Sequence, residues 1–113
     1  MLLPDAGVAE IDPQKLHGYL LSHSHPIGRF KARFFAALGY SAERWQELET
    51  DLRTQHLTQD AQPGESTAHG QAFTIRAILK GPNGQSATVL SVWFVAAVGG
   101  APRFVTAYPG DVQ

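Results

Sequence analysis

The sequence predicts an α+β fold, with three N-terminal helices packed on one antiparallel meander of three to four strands. Three observations carry this prediction. Between Ile11 and His56 the apolar residues recur at three- and four-residue spacing, whereas from Gln71 to Tyr108 they alternate or run together. Helix punctuation marks the first half (Asp12-Pro13, Pro26, Gly39), and turn clusters mark the second (Gly81-Pro82-Asn83-Gly84 and Gly99-Gly100-Ala101-Pro102). Helices grouped before strands indicate α+β rather than alternating α/β layers. The chain, residues 1–113, reads as a single domain, helical over about 11–56 and β over about 57–109, and its length suits one core.

Residues 1–10 read as an extended arm. Asp12 is the expected N-cap of the first helix, with Pro13 at its first position and Ile11 placed to staple against Leu16. Leu16, Tyr19 and Leu20 form its buried stripe, and the helix ends near Ser22 before the turn-like Ser22-His23-Ser24-His25-Pro26. The second helix opens just after Pro26 and closes at Gly39, the expected C′ glycine. At about 100° per residue, Ile27, Phe30, Phe34, Phe35 and Leu38 share one side with Lys31, while Arg29 and Arg33 point away. Ser41 is the expected cap of the third helix, with Trp45, Leu48 and Leu52 inward and Glu43, Glu47 and Glu49 solvated.

A short edge strand is expected near Leu57-Thr58, then a loop from Asp60 to Gly70. Gln71 to Lys80 alternates, with Phe73, Ile75, Ala77 and Leu79 on one face. Gln85 to Val98 follows the first turn. Its run Val89-Leu90-Ser91-Val92-Trp93-Phe94-Val95, apolar on both faces, predicts the central and most covered strand. Arg103 to Tyr108 is the last strand, ended by Pro109-Gly110.

Composition excludes several functions. Hydrophobic residues make up 43% and charged ones 17%, which is globular rather than disordered. A net charge of −1 argues against bulk DNA binding, though not against a small basic pocket. With no cysteine, disulfides, thiolate catalysis and cysteine-held zinc are out. Met1-Leu2-Leu3-Pro4 is too short and uncharged for a signal peptide, and no apolar run reaches membrane-spanning length, so the expected location is cytoplasmic. No cofactor and no metal are expected: His23 and His25 lack a third ligand nearby, and no H-E-x-x-H helix occurs. Gly-x-Ser-x-Gly and paired carboxylates are likewise missing. His17 and His56, both in helical context, read as surface groups, and His69 in the loop before the sheet is a secondary candidate.

Lys31 is the anomaly. A lysine in an apolar stripe either runs its stem out to water or lines a cleft and meets an anion there. His25, just before the same helix, is placed either to bond free backbone N–H groups or to serve the same cleft. On the last strand Thr106 and Tyr108 share a face with Phe104, within reach of the second helix, and Arg103 at the strand start points the other way with Val105. The set His25, Lys31, Arg103, Thr106 and Tyr108 suits RNA cleavage by the substrate's own 2′-hydroxyl, which needs an acid, a base and cations but no cofactor. In that reading His25 is the acid or base, Lys31 and Arg103 neutralise phosphate charge, and Thr106 and Tyr108 hydrogen-bond phosphate oxygens.

The chain resembles, over nearly its whole length, a small family of uncharacterised bacterial proteins, a domain of unknown function. The residues that carry the resemblance are Lys15-Leu16, Tyr19-Leu20-Leu21, His25-Pro26-Ile27-Gly28, Lys31-Ala32-Arg33-Phe34-Phe35, Leu38-Gly39-Tyr40, Gly81-Pro82-Asn83-Gly84, Val92-Trp93 and Arg103-Phe104-Val105-Thr106-Ala107-Tyr108-Pro109. More distantly, helices followed by a four-stranded sheet ending in Thr-Ala-Tyr-Pro are similar to the barnase, EndoU, colicin and RelE group of ribonuclease toxins. That resemblance implies a metal-independent endoribonuclease in a toxin system, with His25, Lys31, Arg103 and Thr106 as the positions carried over. The partners expected are then RNA and a cognate antitoxin or immunity protein. A non-enzymatic interaction module, or the immunity partner itself, is the alternative, and the near-neutral charge suits it.

Overall fold

The computed structural model describes residues 1–110 and shows three helical segments followed by a four-stranded antiparallel sheet. The first helix, α1, is an α-turn at Pro13–Lys15 that runs on as a π-helical segment, Leu16–Leu20. Helix α2 is Gly28–Ala36. Helix α3 is Trp45–Asp51, led in by a 3-10 turn at Ala42–Arg44 and continued by a second π-helical segment, Leu52–His56. The strands β1 (Gln62–Thr67), β2 (Gly70–Lys80), β3 (Ser86–Ala96) and β4 (Arg103–Pro109) lie in sequence order.

The helices cover one face of the sheet. Phe73, Ile75 and Leu79 of β2, Val89, Ser91 and Trp93 of β3, and Phe104 and Ala107 of β4 point inward and are buried, as the two-residue period requires. They meet Leu16, Leu20, Phe35, Leu38, Leu48 and Leu52 in a contiguous core, with Trp93 and Phe104 edge to face at 5.2 Å. As expected, β3 lies between two partners, but only one of its faces is fully covered: Leu90, Val92 and Phe94 look outward and are half-exposed.

Sequence signals placed the first helix well. The Asp12 carboxylate accepts from the Gln14 N–H at 2.9 Å, Pro13 stands at the first position, and Ile11 and Leu16 are both buried. Gly39 follows α2 at φ 99°, the left-handed C′ conformation.

Elsewhere the structure corrects the reading. The N-terminal arm is not extended throughout: it makes a 3-10 turn at Ala6–Val8, buries Leu3 and Ala9, and adds Glu10 beside Arg103 as a parallel bridge. Ser41 stands at the head of the 3-10 turn but its hydroxyl makes no capping bond. Leu57-Thr58 is not a strand, because the helix runs to His56 and buries Leu57. The strand β1 lies inside the stretch expected to be loop, its polar side chains all exposed as befits an edge. In α2, Ile27 and Phe30 are 64% and 65% exposed, and Ala32 takes the inward position instead. The helix is only nine residues long and buries Gly28, Ala32 and Phe35. His56 is fully buried, not a surface group.

One irregularity matters for the site. The β3–β4 register slips between Val92 and Trp93, so that Trp93 pairs with Phe104 and Val92 with Thr106, leaving Val105 as a bulged extra residue. The expected shared face of Phe104, Thr106 and Tyr108 is therefore broken. Beyond the bulge, Ala107 is the buried residue, and Thr106 and Tyr108 turn toward the solvent side of β4.

Candidate functional site

Lys31 projects from the middle of α2 to the edge of β4. Its ammonium donates to the Tyr19 hydroxyl at 3.0 Å and to Thr106 Oγ1 at 2.9 Å, and it stands 5.7 Å from the centre of the Tyr108 ring. The residue is half-buried, and among the described residues no carboxylate pairs with it. The stem ends on two hydroxyls held by other elements, so the ammonium is bonded within the protein and not to water alone.

Tyr19 reaches this position through the backbone. Gly28, the first residue of α2, packs directly on the π-helical segment, where a Cβ would run into the Tyr19 carbonyl. A residue with a side chain at 28 forces α1 and α2 apart, so this glycine sets the distance over which Lys31 meets Tyr19. The π-bulge itself shifts the register of α1 by widening one turn, a device frequent at functional sites.

His25 closes the cluster from the other side. Its Nδ1 accepts from the backbone N–H groups of both Ile27 and Gly28 at 3.0 Å, so it satisfies two orphan donors at the start of α2. Its ring meets that of Tyr19 edge on, 5.0 Å between centres. Because Nδ1 is an acceptor here, the neutral ring carries its proton on Nε2. The lone pair that a general base needs is engaged in capping, so the geometry gives His25 first of all a positioning role.

The direction of these hydrogen bonds defines the chemistry. Lys31 has no acceptor atom, so both hydroxyls must accept from it, and each is left with its own proton to donate. Lys31 keeps a third N–H. Three donor protons are therefore left around a positive charge that no carboxylate among the described residues neutralises, a set of groups of the kind that binds oxyanions.

The structure brings together four of the sequence-derived residues: His25, Lys31, Thr106 and Tyr108. It adds Tyr19, which the sequence reading placed in the buried stripe of α1. Its polar tip, alone on that stripe, was the available signal. Arg103 is not in contact with this cluster. It lines a separate cleft with Glu10, Asp12 and Lys15, and Lys15 in turn donates to the Val105 carbonyl at 3.4 Å. His69 is exposed in the β1–β2 turn, away from these groups, and its carbonyl accepts from Ala97.

Two further polar groups lie in the interior. The Trp93 indole donates to Ser91 Oγ at 2.9 Å, and Ser91 Oγ lies 2.8 Å from His56 Nδ1. As indole is only a donor, Ser91 Oγ accepts from Trp93, and the tautomer of His56 sets the direction of the Ser91–His56 bond. Among the described residues the imidazole Nε2 has no hydrogen-bond partner of normal geometry, and burial pushes the His56 pKa down to about 4, with the Ala77 backbone pulling the other way. The Tyr40 hydroxyl donates to Asp51 at 2.6 Å, and burial, then that carboxylate, pushes its pKa well up. Among the described residues no group of three or more His, Asp or Glu is arranged to hold a metal ion, and no helix is long and apolar enough to cross a membrane.

Residues 2–111 match a family described as a domain of unknown function, DUF6883. No curated protein matches the chain. Among solved structures, a chain of a contact-dependent growth inhibition toxin–immunity protein complex from Klebsiella pneumoniae 342 is similar, with a TM-score of 0.57 and 18% identity over 97% of this chain and 100% of that one. At that identity the likeness concerns the fold.

Proposed function

The chain belongs to the DUF6883 family, and we propose that it is a metal-independent endoribonuclease serving as the toxin of a bacterial toxin–immunity pair. One observation carries this reading: the Lys31 ammonium is held between the Tyr19 and Thr106 hydroxyls, and among the described residues no carboxylate neutralises it. A phosphodiester meets that demand. The fold shared with a chain of a toxin–immunity complex supports the same direction.

In the proposed reaction the substrate's 2′-oxygen attacks its own phosphorus. The 2′-O–P bond forms and the P–O5′ bond breaks; the 2′-hydroxyl gives its proton to solvent water and the departing 5′-oxygen takes one from water, since the His25 Nδ1 lone pair is engaged in capping. The products are a 2′,3′-cyclic phosphate and a 5′-hydroxyl. Lys31 stabilises charge that grows on the phosphorane oxygens, which is worth most where water is partly excluded. Thr106 and Tyr19 donate to those oxygens and fix the phosphate. Tyr108 flanks the ammonium, where its ring limits the entry of solvent. His25 holds Tyr19 and the start of α2, and its Nε2–H is the donor left for the substrate.

The test is cleavage of single-stranded and structured RNA by purified protein in chelator, with end-group analysis. Retained activity yielding cyclic phosphate ends, and growth arrest on expression, are expected. Absence of both cleavage and arrest refutes the proposal. The alternative, an immunity partner without activity, draws on the net charge of −1, and it predicts protection from a cognate toxin rather than arrest.

A further inference from the structure

The cleft around Arg103 has a volume of about 460 Å³ and a composition unlike that of the Lys31 cluster. Phe94, Arg103 and Glu10 stand side by side across β3, β4 and the N-terminal arm, Phe94 opposite Arg103 in the β3–β4 ladder and Glu10 opposite Arg103 in the isolated parallel bridge. Paired residues share a face, so an aromatic ring, a guanidinium and a carboxylate line one surface. Phe94 is held in place: its ring lies over Gly70, where a Cβ would come within 2.7 Å of it. Arg103 and Glu10 form no ion pair with each other, and among the described residues neither side chain has a hydrogen-bond partner. Opposite charges set side by side but unpaired, next to an apolar wall, suit a flat ligand with both donors and acceptors at its edge.

We infer that this cleft takes a nucleobase of the RNA, that of the nucleotide next to the cleaved phosphate. This rests on the ribonuclease reading and adds a base-recognition subsite to it. Each base presents acceptors to the Arg103 fork and N–H donors to Glu10, and its face packs on Phe94. The position is also right. The cleft and the Lys31 cluster meet at Val105–Thr106, and Arg103 lies three residues, or about 10 Å along the strand, from Thr106. That is within the span of one nucleotide. Lys15, bonded to the Val105 carbonyl, closes the floor between them.

The experiment is amide chemical-shift titration of the whole chain with three probes: inorganic phosphate, each of the four nucleosides, and the matching nucleoside 3′-monophosphates. Phosphate reports on the Lys31 cluster, through Thr106 and the neighbours of Lys31. The nucleosides, which carry no phosphate, report on the cleft through Phe94, Phe104 and Glu10. The expected result is that at least one nucleoside shifts the cleft amides, and that Arg103→Ala weakens its binding on the order of tenfold or more. Arg103 is exposed, so this variant keeps the fold, and Glu10→Gln is the second probe because the structural bonds of residue 10 are from its backbone. The cleft is overturned as a base site if no nucleoside shifts these amides, or if Arg103→Ala binds them unchanged. If phosphate leaves the Lys31 cluster unmoved while a nucleoside fills the cleft, it is the cleavage reading that fails.

Discussion

Lys31→Met tests the reading most directly, because it keeps the stem and removes the charge. Two bonds from Nζ are lost, to Tyr19 and Thr106, nominally about 1.5–3 kcal/mol each when one partner is charged. Against that, the half-buried ammonium no longer has to be held out of water, and both hydroxyls are free to bond solvent. The net effect on folding is expected within about 1 kcal/mol, which is a Tm change of no more than about 4–8 °C for a domain of this size. In the transition state no such offset exists. Removing one preorganised donor with its charge costs about 2–4 kcal/mol, so single-turnover RNA cleavage should fall roughly 30- to 1,000-fold. Lys31→Arg keeps the charge and separates its contribution from that of position. A folded Lys31→Met protein that cleaves at the wild-type rate refutes the argument and leaves Lys31 a core residue with a wet tip.

Other variants probe the parts that hold the site. His25→Ala removes the acceptor of two N–H groups and should cost about 1 kcal/mol in urea unfolding, with a loss of rate that His25→Asn, which can still cap, partly restores. Gly28→Ala puts a methyl against the Tyr19 carbonyl, so a loss of 2 kcal/mol or more is expected, at the upper end of overpacking effects. For His56 the folded pKa, about 4, lies below the usual 6.5. The unfolded chain therefore binds the proton first, and stability falls as pH drops from about 6.5 toward 4, by up to about 3 kcal/mol. This acid limb should flatten in His56→Gln, measured by denaturant titration across pH. Tyr40→Phe leaves Asp51 without its 2.6 Å donor and should cost about 1–2 kcal/mol by thermal unfolding. Because the Tyr40 pKa is raised on folding, wild type should also lose stability as pH rises above 10, and Tyr40→Phe should not share that loss.

The parts of the fold legible in the sequence are those fixed by local chemistry. Asp12-Pro13 and Gly39 act through their own backbone positions, and they mark the helix ends the structure shows. The alternation of Phe73, Ile75 and Leu79 gave the inward face of β2 because that strand has no bulge on the β3 side. What failed depends on partners. Ile27 and Phe30 satisfy a helical stripe, yet no element lies over them, and a period cannot say how far a neighbour extends. β1 is polar throughout, and its strand state comes from the ladder offered by β2 rather than from propensity. His56 looked like a surface group because the π-turn that carries it inward, next to Ser91, leaves no mark in composition. At the site, Lys31 stood out as a charge on an apolar face, whereas Tyr19 did not, since tyrosine fits a half-buried stripe without further reason.

What separates a structural lysine from one that awaits a ligand is the kind of group on which it ends. A lysine closed on a carboxylate is neutralised, and the local field beyond the pair is weak. Lys31 ends on two neutral hydroxyls, and a hydroxyl that accepts a bond from a cation becomes a better donor, since the bonds in a chain polarise one another. The positive charge is in this way handed outward through Tyr19 and Thr106 rather than cancelled. Tyr108, an electron-rich ring at 5.7 Å, stabilises the ammonium without occupying any of its N–H groups. Each contact thus holds Lys31 in place while leaving its charge available, and the bulge at Val105 is what turns Thr106 to the edge where it can take part. On the proposed reading, an entering phosphate accepts from the protons that Tyr19, Thr106 and Lys31 do not spend on one another.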